Sequence, residues 1–438
     1  MISVLSDGRF QRPGIFTVLL LYVLFIYILA VAIEKSGKRK KKLKDTLAAI
    51  SILVSLTMLA FYKYAKYYHA SPFAIADTAT EQPMVEIVVP LGLSFIVFSG
   101  ISYSIDVYSG ESCGTPLDVF TYMFFFPKLI SGPIVQWKEF SPQLNKRTFS
   151  VEQISVGIDY IIIGLAKKLI IADVFGAQIS FINETAATTG IDIQTVWPRS
   201  LLFFFQLYYD FSGYSDIAIG LSRIFGFSIR QNFNYPYLST SVSEFWRRWH
   251  ISLGAWFRRY VYIPLGGSRN GNVYVNLFIV FLLTGIWHGD DWTYVLWGVI
   301  NGIAVVIERA LKDTRFYQKI PKLIKWGFTV LFVYFAWVLF MSNDIGEALT
   351  TYAAMFTPVH NTINFTWRFF FTRRILLLIV IGGLGSIGGF RGIYCFLKTK
   401  IENTTYMMIK KSVMIMLFFI DMLFLVNSSY SPFIYFQF

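Results

Sequence analysis

A chain of 438 residues that is 55% hydrophobic and 18% aromatic but only 15% charged has too little polar surface to cover itself in water, since soluble domains carry roughly 25% charged residues. It reads as an all-α, polytopic membrane protein. The formal net charge of +13 would suit nucleic-acid binding, but the basic residues fall in loops between apolar runs, the pattern of a membrane chain with Lys and Arg held on the cytoplasmic side, so nucleic acid is set aside as a partner.

In chain order, the first apolar run, 14–33, is long enough to span a bilayer. The segment after it, 35–44, holds seven basic residues and reads as a stop-transfer anchor on the cytoplasmic side, which puts the N-terminus outside. Further spans are predicted at 46–67, 85–107, 154–175, 199–221, 273–288, 292–308, 326–341, 375–394 and 407–426, making ten and leaving the C-terminus outside as well. The apolar stretch 118–137 is broken by Pro127, Gly132 and Pro133. Lipid cannot satisfy backbone groups freed in this way, so the stretch is expected to be re-entrant and buried in protein. The span 199–221 carries Gln206, Asp210, Ser212, Ser215 and Asp216, which implies a face turned to a cavity. No repeat, linker or second domain is evident, and 1–438 reads as a single membrane domain.

Chemistry concentrates in 239–298. The region 223–269 interleaves arginines with Trp246, Trp249 and Trp256 and is expected to form helices at the cytoplasmic interface. His250 lies within it. His288 ends the apolar run 273–287, and an ionisable group at membrane depth is by default functional. The other histidines, His69 and His360, fall in predicted outer loops. No two of the four histidines share a metal-binding spacing, and two cysteines, Cys113 and Cys395, supply neither a disulfide framework nor a zinc site. Residues 110–114 match G-x-S-x-G but lack the strand-turn-helix setting that gives that motif meaning.

Several ordered motifs carry a likeness: FFPKLISGPI at 125–134, GLAKKLIIAD at 164–173, QLYYDFSGYSDIAIG at 206–220, FWRRWHISLGAWFRRYVYIPLGG at 245–267 and GIWHG at 285–289. Through them the chain, from about 89 to 308, resembles the membrane-bound O-acyltransferase family and within it the bacterial alginate O-acetyltransferase branch. The resemblance implies a ring of about ten transmembrane helices with re-entrant and interfacial helices around a central pore, in the bacterial cytoplasmic membrane. It implies His288 as the catalytic histidine and His250, thirty-eight residues earlier, as its partner.

The residues agree with acyl transfer. A histidine near pKa 6.5 serves as a general base for a hydroxyl, and apolar surroundings keep it neutral. Arg247, Arg248 and Arg258, with Trp249, are candidates for holding the phosphates of a thioester donor, acetyl-CoA, because guanidinium pairs well with phosphate; their alternative is topology and lipid headgroups. Asp210 and Asp216 either line the pore or cap a broken helix.

The tail 428–438, ending SPFIYFQF, is expected outside. It resembles aromatic, Tyr-containing tails implicated in acyl relay, with Tyr435 as the acceptor; the alternative is an aromatic anchor in the membrane belt. An extracytoplasmic acyltransferase partner, SGNH-hydrolase-like by resemblance, and a cell-envelope polysaccharide complete the expectation. The alternatives are D-alanyl transfer from a carrier-protein thioester to teichoic acid, or a transporter, since broken spans with polar residues also mark substrate pathways.

Overall fold

The computed structural model describes residues 13–37, 40–64, 89–147, 149–358, 366–427 and 433–434. His69, His360 and Tyr435 lie outside the described residues. Among the described residues the chain is helical and contains no strand. It forms two compact units, Met1–Thr148 and Phe149–Phe438.

The first unit contains α1 (Pro13–Ser36), α2 (Lys41–Lys63), α3 (Leu93–Tyr108), α4 (Pro116–Met123) and α5 (Trp137–Leu144). Small polar residues join the long helices: the Tyr22 hydroxyl meets Ser55 Oγ at 2.8 Å, and Ser51 meets Ser104. In lipid, where apolar surface has no drive to leave its solvent, such bonds and close packing hold helices together. Thr115 caps α4 in a reciprocal box with Asp118. Beyond Met123 the backbone leaves helical geometry until Trp137, as the prolines and glycine of that stretch require. Its Lys128 is buried, donates to Ser99 Oγ at 2.9 Å and lies over the Tyr122 ring.

The second unit opens with α6 (Val151–Ala166), a π-helical segment (Lys167–Ala172) and α7 (Asp173–Thr189), which follow one another without a break. Then come α8 (Ile193–Ile224), α9 (Val242–Arg248), α10 (Ile251–Phe257), a second π segment (Arg258–Tyr262), α11 (Val273–His288), α12 (Trp292–Leu311), α13 (Arg315–Lys319), α14 (Lys322–Met341), α15 (Ile345–Ala354), α16 (Trp367–Phe370), α17 (Arg373–Ser386), α18 (Gly389–Lys400) and α19 (Asn403–Asn427). Asp192 caps α8 through the amides of Gln194 and Thr195, a contact usually worth about 1 kcal/mol.

Glycines set the closest approaches. A Cβ on Gly213 of α8 would lie 2.8 Å from the Gly164 carbonyl oxygen of α6, and one on Gly298 of α12 would lie 2.7 Å from the Phe281 carbonyl oxygen of α11. Each pair of helices therefore packs backbone against backbone, the small-residue mode of membrane helices.

Four helices among the described residues are long and apolar enough to cross a membrane, or five if α17 and α18, bent by 65° at their junction, make one span. The ten spans expected from apolar runs are thus not all of that kind. Residues 85–88 lie outside the described residues and α3 begins at Leu93, while α11 has sixteen residues. The expected outer loop at 176–198 is largely helical, because α7 continues to Thr189 and α8 starts at Ile193; polar Gln, Asn, Glu and Thr side chains end an apolar run without ending a helix.

Candidate active site

The Trp-rich stretch is fixed by its own polar groups. Ser241 caps α9 by accepting from the Glu244 amide, and the Glu244 carboxylate accepts from the Thr240 amide at 2.9 Å and holds Arg248 at 2.9 and 3.0 Å. Those donors keep the Glu244 pKa below the usual carboxylate range against the opposing effect of burial. The Trp246 indole N–H donates to Asn301 of α12 at 3.1 Å, and the Ser243 amide donates to Glu308 at 3.1 Å. Arg248 is thus committed to its own helix and to the Asn234 carbonyl, whereas Arg247 and Arg258 are exposed. Trp249 is buried, with its ring 4.9 Å from that of Trp337.

His250 links α9 to α10 in the left-handed region, φ 46° and ψ 52°, a conformation in which non-glycine residues are uncommon and worth a functional look. Backbone bonds fasten both sides: Asn234 N–H to the Arg248 carbonyl and Ile251 N–H to the Asn232 carbonyl, each 2.9 Å. The ring is 3% exposed, edge-on to Phe211 at 4.7 Å. Its Nδ1 lies 3.1 Å from Asn232 Oδ1, which also accepts from the Ser252 amide and hydroxyl, while Asn232 Nδ2 donates to Ser215 Oγ. With Asn232 Oδ1 acting as the acceptor, Nδ1 carries the proton and Nε2 keeps its lone pair. Nε2 is buried and has no hydrogen-bond partner. Burial lowers the His250 pKa to about 3, so the ring is neutral.

His288 is the last residue of α11 and is half-buried. Its ring stands edge-to-face against Trp297 and Phe340, both at 5.2 Å, in a wall of aromatic side chains that includes Trp337 and Trp246. The two histidines share a neighbour: the Trp287 ring is 6.3 Å from that of His250 and 4.8 Å from that of His288. Gly289 follows because a Cβ there would run into the Tyr294 ring.

A cavity of about 1220 Å³ lies in the same unit, lined by Lys168, Asp173, Gln206, Asp210, Asp291, Tyr294 and Arg374 among others. His288 is not among its lining residues, but Tyr294, which is, packs edge-on to Phe340 at 5.2 Å. Asp210 faces this cavity and pairs with Lys168 at 2.7 Å; Asp216 pairs with Lys167 at 2.6 Å. Lys168 also meets Asp173 at 2.8 Å. Among the described residues no group of three or more His, Cys, Asp or Glu is placed to hold a metal ion.

Sequence reasoning had not singled out Asn232, Ser252, Lys168 or Asp173. Asn232 sits in a short polar loop with no periodic signal. The lysine pair at 167 and 168 gave a signal, two cations inside an apolar run, whose weight lies in Asp173 close by and in Asp210 and Asp216 more than forty residues downstream.

Comparison with known proteins agrees with this frame. The family model described as "MBOAT, membrane-bound O-acyltransferase family" matches residues 112–345. A "Probable alginate O-acetylase" of Pseudomonas putida is 36% identical over 438 residues, covering 95% of this chain and 89% of its own. That of Pseudomonas aeruginosa is 39% identical over 339 residues, 76% of this chain and 64% of its own. A "Peptidoglycan O-acetyltransferase" of Helicobacter pylori is 32% identical over 366 residues, 76% and 68% of the two chains. A chain that is helical among the described residues, with apolar helices long enough to cross a membrane, is by these matches a membrane acyltransferase. The chain belongs to the membrane-bound O-acyltransferase family.

Proposed function

We propose that this protein takes an acetyl group from a cytoplasmic thioester, acetyl-CoA, and passes it across the bacterial cytoplasmic membrane for O-acetylation of a cell-envelope polysaccharide. In this reading His288 removes the proton of the acceptor hydroxyl, whose oxygen attacks the thioester carbonyl. The carbon–sulfur bond breaks, and the proton passes from His288 to the departing thiolate, leaving free CoA thiol. His250 offers its Nε2 lone pair on the donor side. Exposed Arg247 and Arg258 are placed for the donor's phosphates better than Arg248, whose guanidinium is already engaged.

Tyr435 receives the acetyl group and hands it to an SGNH-hydrolase-like transferase outside. A phenol with pKa near 10 is far easier to deprotonate than a sugar alcohol, and its ester is the better donor. A ring of ten spans around a pore, with both termini outside, is the architecture this route requires.

The observation that carries the proposal is the pair of histidines around Trp287, one with a buried, unused Nε2, in a chain whose relatives are named for O-acetyl transfer to envelope polymers. The test is peptide mass spectrometry on membranes supplied with isotope-labelled acetyl-CoA, comparing the parent chain with His288→Ala. Label on Tyr435 that vanishes in the variant is the expected result. An unlabelled tail in both chains, with polymer acetylation intact, would remove the relay; label that persists in His288→Ala would remove the base.

A further inference from the structure

Two residues of the C-terminal segment, Phe433 and Ile434, are seated in the second unit against residues more than two hundred positions earlier in the chain. Ile434 is buried, belongs to the main apolar core and lines the cavity. Its amide N–H donates to Asp210 Oδ2 at 2.7 Å. The ring of Phe433 lies 4.7 Å beneath the Lys168 ammonium and edge-on to Tyr214 at 4.6 Å.

The chemistry of the cluster explains the seat. Asp210 and Asp173 place two carboxylates around a single ammonium, Lys168, and Asp210 is 2% exposed. A lysine offers three donors, whereas two carboxylates offer about eight acceptor sites. A buried carboxylate short of donors is costly, and a hydrogen bond to a charged acceptor is among the stronger ones. The Ile434 amide, outside any long helix, supplies such a donor without breaking a helical bond. The ammonium, already held from the carboxylate side, presents its charge to the Phe433 ring, an arrangement strengthened by desolvation. Backbone donor, aromatic face and apolar side chain of two consecutive residues thus converge on one site.

We infer that Lys168, Asp210 and Asp173, with Tyr214, form a latch that seats the C-terminal segment in the cavity and fixes its register one residue before Tyr435. They are positioning residues: they hold the segment and do not touch the transferred group. The inference rests on the reading of Tyr435 as acceptor only for its purpose; the seat itself is a separate matter.

The test uses the full chain in native membranes with Phe433→p-benzoylphenylalanine, irradiated and digested for mass spectrometry. The expected crosslink joins the tail to peptides carrying Tyr214 or Lys168. Ile434→Pro removes the donor N–H and changes none of the helices; it should cut the crosslink roughly ten- to a hundredfold. Ile434→Ala keeps the N–H and should retain most of it, a rescue that a purely apolar plug would not show. Acetyl on Tyr435 should follow the crosslink across these variants. Undiminished crosslinking in Ile434→Pro, or crosslinks to lipid alone, would overturn the latch. A crosslink in the parent with no acetyl on Tyr435 leaves the latch standing and removes the relay. Acetyl on Tyr435 without any crosslink to these helices does the reverse.

Discussion

His250 differs from an ordinary imidazole because the protein has removed its water and given it one polar partner. With its pKa lowered to about 3, it stays neutral across the range in which a free histidine titrates. The unfolded chain takes up a proton below about pH 6.5 and the folded one does not, so stability present above that pH is lost as pH falls toward 3. Between pH 6.5 and 5 the parent chain should lose about 2 kcal/mol more than His250→Gln, measured by thermal unfolding in detergent at the two pH values. His288 carries a different expectation: His288→Gln keeps a polar side chain without a base and should lower the acetyl-transfer rate by about 10² to 10⁴, read as initial rate at saturating donor. Both histidines stood out in the sequence as rare ionisable residues in apolar, aromatic company. What stayed hidden was Asn232, which orients His250 from eighteen residues away; its contact exists only after the loop has folded back onto α10.

Helices α6 and α8 show how far a span departs from a uniform apolar rod. They meet through Gly164 and Gly213, and again through Gly157 and Gly220, where a Cβ on Gly157 would lie 2.7 Å from the Gly220 carbonyl oxygen. Gly213→Val should force the helices apart at a cost of about 1–3 kcal/mol, seen as a lower melting temperature, and should loosen the nearby Lys167–Asp216 pair. The polar residues of α8 were readable as a cavity-facing set; Gln206 and Asp210 line the cavity, whereas Asp216 meets Lys167 and Ser215 meets Asn232 instead. Their partners were not readable, because they sit on another helix with no fixed offset in sequence. Nor was the length of α7, since the polar residues that end a hydropathic run are also tolerable helix formers.

At the scale of the whole molecule, the charge pattern carries the most information about orientation. The cluster Arg309, Lys312, Arg315, Lys319, Lys322 and Lys325 surrounds α13 and reads as cytoplasmic, while Asp290 and Asp291 stand at the opposite end of α12. A cysteine placed at Lys319 in a chain lacking Cys113 and Cys395 should react with a membrane-impermeant maleimide only after the cells are opened. A cysteine at Asp290 should react with the same reagent in intact cells. Equal labelling at both positions would defeat the assigned orientation. The number of crossing helices was the least legible feature. Counting apolar runs assumes lipid on every side, whereas helices such as α8 turn buried polar groups toward protein.

The π segment at Lys167–Ala172 has a consequence for phase. On an α-helix, residues five apart differ by about 140° around the axis, since each advances about 100°, so Lys168 and Asp173 would face different ways. A π turn bonds residue i to i+5 and stacks that spacing on one side, which is how the lysine meets Asp173 and still reaches Asp210. A relative with one residue fewer between its lysine and aspartate would make the same bridge on an ordinary helix. The π turn thus absorbs one extra residue, so everything beyond the aspartate would keep the phase it has in this chain, presenting the same set of side chains to the cavity from a string one letter shorter.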